Sequence, residues 1–416
     1  MTGLPPALLF GGDQMAVSVA RSIAALGAAV HAVGDREDPV QHSRACASYT
    51  LIPRRRGVGD RYLEHLKNDG PPGAVVLPCD DESLEVVAQN RDLLLSWGYL
   101  PVEANDEVML AMLDKEKTYE LSRAAGIPTP RTMTLRSDED AELAAKTFDY
   151  PCALKPLASH RYCQLTGDVA DKVLLANDAG ELRRAYEVAR GLGVEMLVTE
   201  IVPGGDEAFC SYYSYLLPDG TSLFDLTKHK LRQLPIGFGL TCYQETVWEP
   251  EVARLGRQFC QEIGLRGVAN IEFKQDPSTG VWKIIECNHR FTLANEIIRL
   301  AGVDVPAIAY RRAAGLPVAP VDGYRLGVRM WSPIEDVKAF RQYRAAGLLT
   351  GPQWVRSLLC RWHVAMFRLD DPMPTLTRMA LVRGPNTARA AFRSARRSLT
   401  VRASRRGGPS PLRTEA

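Results

Sequence analysis

The sequence predicts a mixed α/β and α+β chain: a Rossmann-like N-terminal layer, further helix-and-strand segments, and a small, mostly helical C-terminal region. Three observations carry this. Residues 7–34 read strand, loop, helix, strand. Residues 268–290 read as two strands joined by a polar turn. From about Pro317 the texture changes, and Trp331, Trp354 and Trp362 stand among scattered apolar residues.

Composition narrows the function classes. A chain of 416 residues has room for two or three domains. A net charge of +2 argues against a wholesale nucleic-acid binder. The nine cysteines form no C-x-x-C pair, which argues against a zinc site and for buried thiols in a reducing compartment. The chain reaches Ala7-Leu8-Leu9-Phe10 without a basic leader, so no signal peptide is expected. No apolar run approaches the roughly 20 residues that span a bilayer. A cytoplasmic protein is expected.

In chain order, Ala7–Phe10 is an apolar strand and Gly11-Gly12-Asp13 a turn. Met15, Val19 and Ile23 repeat at helical spacing, Gly27 ends the helix, and a second strand follows. The unit lacks a full G-x-G-x-x-G, so a structural layer is favoured over a dinucleotide site. Residues 74–78 form another buried strand. Asp80 and Asp81 follow at its C-terminal end, where such sheets place ligand-facing groups; Asp81 or Ser83 also suits a helix cap. Asn105–Ala125 reads as one helix, stopped by Gly126 and the extended Ile127-Pro128-Thr129-Pro130. Lys115 and Lys117 near its start do not favour the dipole, so each is either solvated or reaches an anion.

Lys155 stands alone in the apolar strand Tyr150–Pro156 and must snorkel out or hold an anion. Leu157–Gly167 is polar and reads as an irregular loop, and Lys172 opens the next segment. Asp178–Gly191 is an amphipathic helix. Met196–Val202 is a strand running into Pro203-Gly204-Gly205, a hinge whose free backbone groups suit an adenine edge. Glu207 suits a ribose hydroxyl, although both it and Glu200 also read as surface residues. Phe209–Leu217 and Thr221–Leu226 form a hairpin. The basic run Lys228-His229-Lys230-Leu231-Arg232-Gln233 follows, either a clamp for phosphate or carboxylate or a solvated charge run. Glu249–Gly264 is a helix, and residues 291–315 are largely helical. The Arg-rich stretch beyond Pro385 suits an anionic surface or a solvated tail.

The strands of 268–290 hold the chemistry. Alternation places Asn270 and Glu272 on one face of the first. It places Trp282, Ile284, Glu286 and Asn288 on one face of the second. Gln275–Gly280 has turn composition. Pairing gathers two carboxylates and an amide oxygen, hard ligands suited to Mg²⁺ or Mn²⁺, with Arg290 just beyond. The plain alternative is a polar sheet edge.

Taken in order, these motifs resemble the ATP-grasp superfamily and, within it, the carboxylate–amine ligases. Asp114-Lys115 and the 125–130 turn resemble the entry to the first nucleotide lobe. Leu154-Lys155-Pro156 resembles the phosphate-contacting strand, and Thr199–Gly204 the adenine hinge. Glu272 with Glu286-Cys287-Asn288-His289-Arg290 resembles the metal signature E…E-x-N-x-R. The resemblance covers the chain to about residue 316. It implies a preATP-grasp domain over 1–110 and an ATP-grasp domain over 111–316, with lobes at about 111–200 and 201–316. A C-terminal helical region (317–385) and an Arg-rich tail (386–416) remain.

The resemblance also implies an ADP-forming ligase that joins a small carboxylate to an amine through an acyl phosphate, using ATP and Mg²⁺ (or Mn²⁺). Lys115, Lys155 and Lys172 would contact phosphates. Glu200, Ile201, Val202 and Glu207 would hold the nucleoside, and Glu272, Glu286 and Asn288 the metal. Arg290, Arg232 and Lys228 would serve catalysis. One departure is clear: Leu157–Tyr162 replaces the Gly-rich lid of many members. Homodimers are frequent among relatives. An inactive or regulatory ATP-binding protein of the same fold is the alternative reading, and a dehydrogenase is disfavoured by the missing glycine fingerprint.

Overall fold

The structure, a computed structural model, describes residues 3–54, 57–166 and 173–383. The expectations for Lys172 and for the Arg-rich tail lie outside these residues.

The N-terminal layer is a parallel sheet. Its elements are β1 (Ala7–Phe10), α1 (Asp13–Ala25), β2 (Val30–Gly34), β3 (Ser48–Leu51), α2 (Val58–Asn68), β4 (Val75–Pro78), α3 (Asp81–Gln89), α4 (Arg91–Ser96) and β5 (Leu100–Pro101). The strand order is β3-β2-β1-β4-β5, so chain direction across the sheet switches between β1 and β4. All four residues of β1 and of β4 are buried, as expected for strands covered on both faces. Asp80, rather than Asp81 or Ser83, is the N-cap of α3. Its carboxylate accepts from the Ser83 amide, and Ser83 answers with its hydroxyl, completing a capping box. The same Asp80 carboxylate accepts the Gly12 amide at 3.2 Å.

The expected helix over 105–125 is two: α5 (Asp106–Ala111) and α6 (Lys115–Ala124). Asp114 breaks the run because its carboxylate caps α6, accepting from the amides of Glu116 and Lys117. This cap puts Lys115 at the first position of α6. The second sheet contains β6 (Thr132–Leu135), β7 (Cys152–Pro156), β8 (Leu174–Ala176) and β9 (Met196–Glu200), in the order β6-β9-β7-β8. Helices α7 (Asp138–Thr147) and α9 (Ala179–Gly191) cover one face around Leu154, Leu182 and Val198. Residues 159–166 are helical (α8, Ser159–Thr166), not an irregular loop. The segment holds no glycine or proline, and burial of His160 and Tyr162 anchors its first turn.

The third sheet runs β14-β13-β10-β11-β12-β15-β16. Its strands are β10 (Phe209–Leu216), β11 (Ser222–Leu234), β12 (Leu240–Val247), β13 (Gly267–Gln275), β14 (Trp282–Asn288), β15 (Arg329–Trp331) and β16 (His363–Val364). The basic run from Lys228 is thus the second half of one long strand. Helix α10 (Pro250–Glu262) packs its apolar stripe on one face through Val252, Leu255 and Phe259. Tyr213, Tyr215 and Leu226 join a core shared with α1, α11 (Asn295–Ala301) and α12 (Val305–Ala313), so the N-terminal layer packs directly on this sheet.

The C-terminal region has helices α13 (Pro333–Ala345), α14 (Gly351–Ser357) and α15 (Met373–Arg383), but it also supplies β15 and β16 to the third sheet. Its Asp371 makes a buried pair with Arg21 of α1 at 2.9 Å. No described helix is long and apolar enough to cross a membrane.

Candidate active site

The site grows from the pairing of β13 with β14. Asn270 lies directly opposite Asn288, and Glu272 opposite Glu286. Along β13 the alternation holds: Ala269, Ile271 and Phe273 enter the core, and Asn270, Glu272 and Lys274 take the other face. Along β14 it fails. Trp282 and Ile284 are core residues, yet so is Cys287, and Glu286 opens to the cleft. The register slips between Glu272 and Phe273 because β14 carries one extra residue there. This bulge moves Glu286 and Asn288 off the face that Trp282 and Ile284 occupy, correcting the simple alternation. Two contacts hold it. The Tyr119 hydroxyl donates to the Ile285 carbonyl at 2.9 Å, and the Ile284 amide to the Pro128 carbonyl at 2.9 Å.

Cross-strand pairing extends the acidic row. Glu286, Glu272, Ser211 and Lys228 are successive partners across β14, β13, β10 and β11. Lys230, one step along β11 on the same face, pairs with Glu272 at 2.6 Å. Lys228 is 2 % exposed, with its ammonium 5.8 Å from the Tyr213 ring centre. Loss of water, and then the neighbouring Lys230 charge, push the Lys228 pKa down to about 8.

Lys155 reaches the same region from β7. Loss of water and then the Lys115 charge push its pKa down to about 8, against the pull of Glu286 and Glu272. Lys115 donates to Ser159 Oγ at 2.7 Å. Crowding by protein raises the Glu286 pKa, but Lys115, Arg290 and Lys155 together outweigh it and hold the carboxyl below its ordinary value. Arg290 binds Asp81 of the N-terminal layer, and its Nη1 donates to the Phe291 carbonyl at 3.2 Å. The cleft at this junction, about 500 Å³ with its open mouth included, is lined by Asp81, Lys115, Tyr119, Ser159, Glu286 and Asn288, among others.

The hinge residues Glu200, Ile201 and Val202 close the second sheet. Glu200 is paired with Lys283 of β14, and the Val202 carbonyl accepts from Lys274 at 2.7 Å. Glu207 is exposed beside the hinge, and its carbonyl lies 3.0 Å from His229 Nδ1.

The structure therefore gathers Lys115, Lys155, Lys228, Glu272, Glu286, Asn288 and Arg290 around the paired strands β13 and β14, with Lys115, Glu286 and Asn288 lining the cleft itself. It does not bring Arg232 there. That guanidinium is bound to Asp336 of α13 at 2.6 and 3.0 Å, because burial demands a counter-charge and the C-terminal region supplies it. Lys117 is at the surface, 3.7 Å from Glu120.

Several groups at the site are not singled out by sequence reasoning. Lys274 is legible, two residues beyond Glu272 on the same strand face. Glu85, which holds both His160 (3.1 Å) and Arg161 (2.6 Å) of α8, comes from a distant segment and leaves no signal. Asn270, which alternation already places beside Glu272, has a buried Nδ2 without a partner among the described residues.

Two carboxylates set directly opposite repel one another unless a cation lies between them. Asn288 uses its Nδ2 toward Asn270 Oδ1 at 3.4 Å, which leaves its own oxygen open to a ligand. Among the described residues no group of three His, Cys, Asp or Glu gathers to hold a metal, and the candidate set here is two carboxylates and one amide, with Glu272 paired to Lys230. Glu272, Glu286 and Asn288 thus fit a hard divalent cation that completes its shell with water and phosphate oxygens.

A parallel N-terminal layer, a four-stranded lobe and a larger, mostly antiparallel lobe, with a cleft that Lys115 and Glu286 line, define the class: the chain has the ATP-grasp fold. No family model matches it. Among curated relatives it is 24% identical over 243 residues to the D-aspartate ligase of Enterococcus faecium, covering 56% of this chain and 56% of that one. It is 24% identical over 181 residues to a D-alanine–D-alanine ligase of Stutzerimonas stutzeri, covering 42% of this chain and 54% of that one. The chain thus spans about half the length of these relatives. Among solved structures, it matches the biotin carboxylase domain of Hydrogenobacter thermophilus 2-oxoglutarate carboxylase, in complex with MgADP. The TM-score is 0.63 and the identity 19%, with 79% of this chain and 74% of that one covered. It also matches the ADP complex of purK, an N5-carboxyaminoimidazole ribonucleotide synthetase, at TM-score 0.60 and 14% identity, over 79% of this chain and 82% of that one.

Proposed function

We propose that this protein is an ATP-dependent carboxylate–amine ligase, forming an amide or peptide-like bond with release of ADP and phosphate. The observation that carries the reading is the direct opposition of Glu272 and Glu286, facing lysines from two other elements across one cleft. The names of its relatives, D-aspartate ligase and D-alanine–D-alanine ligase, support the reaction class.

In this reading ATP lies between the lobes. The hinge backbone at Glu200–Val202 meets the adenine edge and Glu207 the ribose. Lys115, Lys155 and Lys172 meet phosphate oxygens. Glu272, Glu286 and Asn288 hold Mg²⁺ or Mn²⁺, which neutralises phosphate charge. A substrate carboxylate oxygen attacks the γ-phosphorus, and the bond to the β,γ-bridging oxygen breaks. ADP leaves and an acyl phosphate remains. The amine nitrogen then attacks the acyl carbon, the carbon–oxygen bond to phosphate breaks, and the nitrogen loses a proton. Arg290 and Lys228 stabilise charge on the acyl phosphate and on the tetrahedral intermediate. The unpartnered amide of Asn270, which lies opposite Asn288, suits a substrate carboxylate. The partition into 1–110, 111–316, 317–385 and 386–416, a cytoplasmic location, a homodimer and an anionic surface for the Arg-rich tail complete the proposal.

Hydroxylamine trapping tests it. Incubation with Mg·ATP, a panel of amino acids and small acids, and hydroxylamine is expected to yield a hydroxamate with at least one acid. Glu286→Gln is expected to lower that yield at least about 100-fold by removing a charge from the metal site. Mg·ATP binding with no hydroxamate from any acid would favour the inactive, regulatory reading. Undiminished yield in Glu286→Gln would remove the metal assignment.

A further inference from the structure

Strand β11 departs from regular pairing with β12 around Arg232. Its register against β12 breaks between Lys230 and Arg232, and again between Arg232 and Gln233. The kink sends three near neighbours to three destinations. Lys230 meets Glu272 at 2.6 Å. Arg232, 5 % exposed, meets Asp336 on the far side. Gln233 donates its side-chain amide to Asp206 Oδ1 at 2.6 Å and its backbone amide to Asp206 Oδ2 at 3.2 Å. Asp206 adjoins Glu207, the ribose candidate.

Asp336 is fully buried and gathers more than one donor set. Besides Arg232 it accepts from the indole nitrogens of Trp331 and Trp354, both at 2.9 Å. Arg232 also donates to Ser357 Oγ at 2.9 Å and lies 4.5 Å from the Tyr243 ring centre. A buried charge is stable only when its partners are complete. Here they come from β11, β15, α13 and α14 together. The knot therefore fixes where the kink falls, and the kink fixes Lys230 and Gln233.

We infer that Arg232 and Asp336 are positioning residues, and that the C-terminal helices α13 and α14 act through them on the nucleotide cleft. The inference rests on the reading of that cleft as an Mg·ATP site. The C-terminal region thereby anchors the kink that presents Lys230 to the acidic row and Gln233 to the turn carrying Glu207.

Calorimetric titration of the full chain with Mg·ATP tests this. Asp336→Asn keeps the side-chain volume and removes the charge that orients Arg232. It is expected to raise the Mg·ATP Kd about tenfold. Trp354→Phe, which removes one donor, is expected to raise it about threefold and serves if Asp336→Asn does not fold. Arg21→Ala is the control. It breaks a comparably buried pair at the other end of the C-terminal region, so it should destabilise the fold and leave the Kd unchanged. Wild-type affinity in a folded Asp336→Asn, or in Trp354→Phe if the first variant does not fold, overturns the inference. So does an equal loss of affinity in Arg21→Ala. A wild-type protein that binds no Mg·ATP would instead overturn the underlying site reading, a result the first titration alone reports.

Discussion

Protonation of Lys155 and Lys228 should be the measurable signature of nucleotide binding. Both are pushed down to about 8, chiefly by loss of water, from an ordinary 10.5. A bound triphosphate supplies the counter-charge that Lys155 lacks, and its γ-phosphate, the group that passes to the acyl phosphate beside Lys228, supplies it to Lys228; both return to the ammonium form. At pH 8 each lysine is half neutral, so binding takes up about half a proton at each, about one in all. At pH 6.5 both are already charged, and uptake falls to about 0.1 proton. By the same linkage, Mg·ATP affinity should weaken about 100-fold between pH 7 and pH 9, a factor of about ten from each lysine. Titration calorimetry in two buffers of different ionisation enthalpy reads the proton count directly. Uptake below about 0.2 proton at pH 8 would refute the argument that desolvated lysines receive the phosphates. Stability of the unliganded protein carries the opposite sign. The folded lysines bind fewer protons than the unfolded ones between about pH 8 and 10.5, so their cost to folding, full below pH 8, is relieved as pH rises through that window.

Two further outcomes concern the fold. Arg21→Ala leaves the buried Asp371 carboxylate, 7 % exposed, without its guanidinium and should cost about 3–5 kcal/mol, read as a lowered urea midpoint; a midpoint within error of wild type would show the pair to be dispensable. Gly256→Ala would put a methyl group 2.4 Å from a ring carbon of Tyr212, forcing α10 off its sheet. It should destabilise by about 1–3 kcal/mol in the same assay, and an unchanged midpoint would show that the helix shifts freely.

Much of the site is legible because local rules and global fold agree in it. Asn270 and Glu272 share a face by alternation alone, and the 275–280 turn fixes which strand they meet. Lys155 stands out because an ammonium in an apolar strand requires a partner. The bulge is not legible, since a one-residue slip leaves no mark in composition and depends on Tyr119 and Pro128 holding Ile285 and Ile284 from outside. Arg232 misleads for a related reason. Within its own segment it is one more cation in a basic run, and only Asp336, 104 residues away, reveals where it points. The helix at 159–166 hides because its polarity mimics irregularity, although no glycine or proline interrupts it.

The pair between Arg21 and Asp371 spans 350 positions of sequence. Trimming the chain to the segments that line the cleft would strip the carboxylate from a guanidinium packed in α1 and uncover the edge of β12 where β15 pairs. Such a fragment would present a raw ladder of backbone donors and acceptors to its neighbours, and it would clump rather than bind nucleotide. Any expression design for this protein must retain residues through at least Asp371.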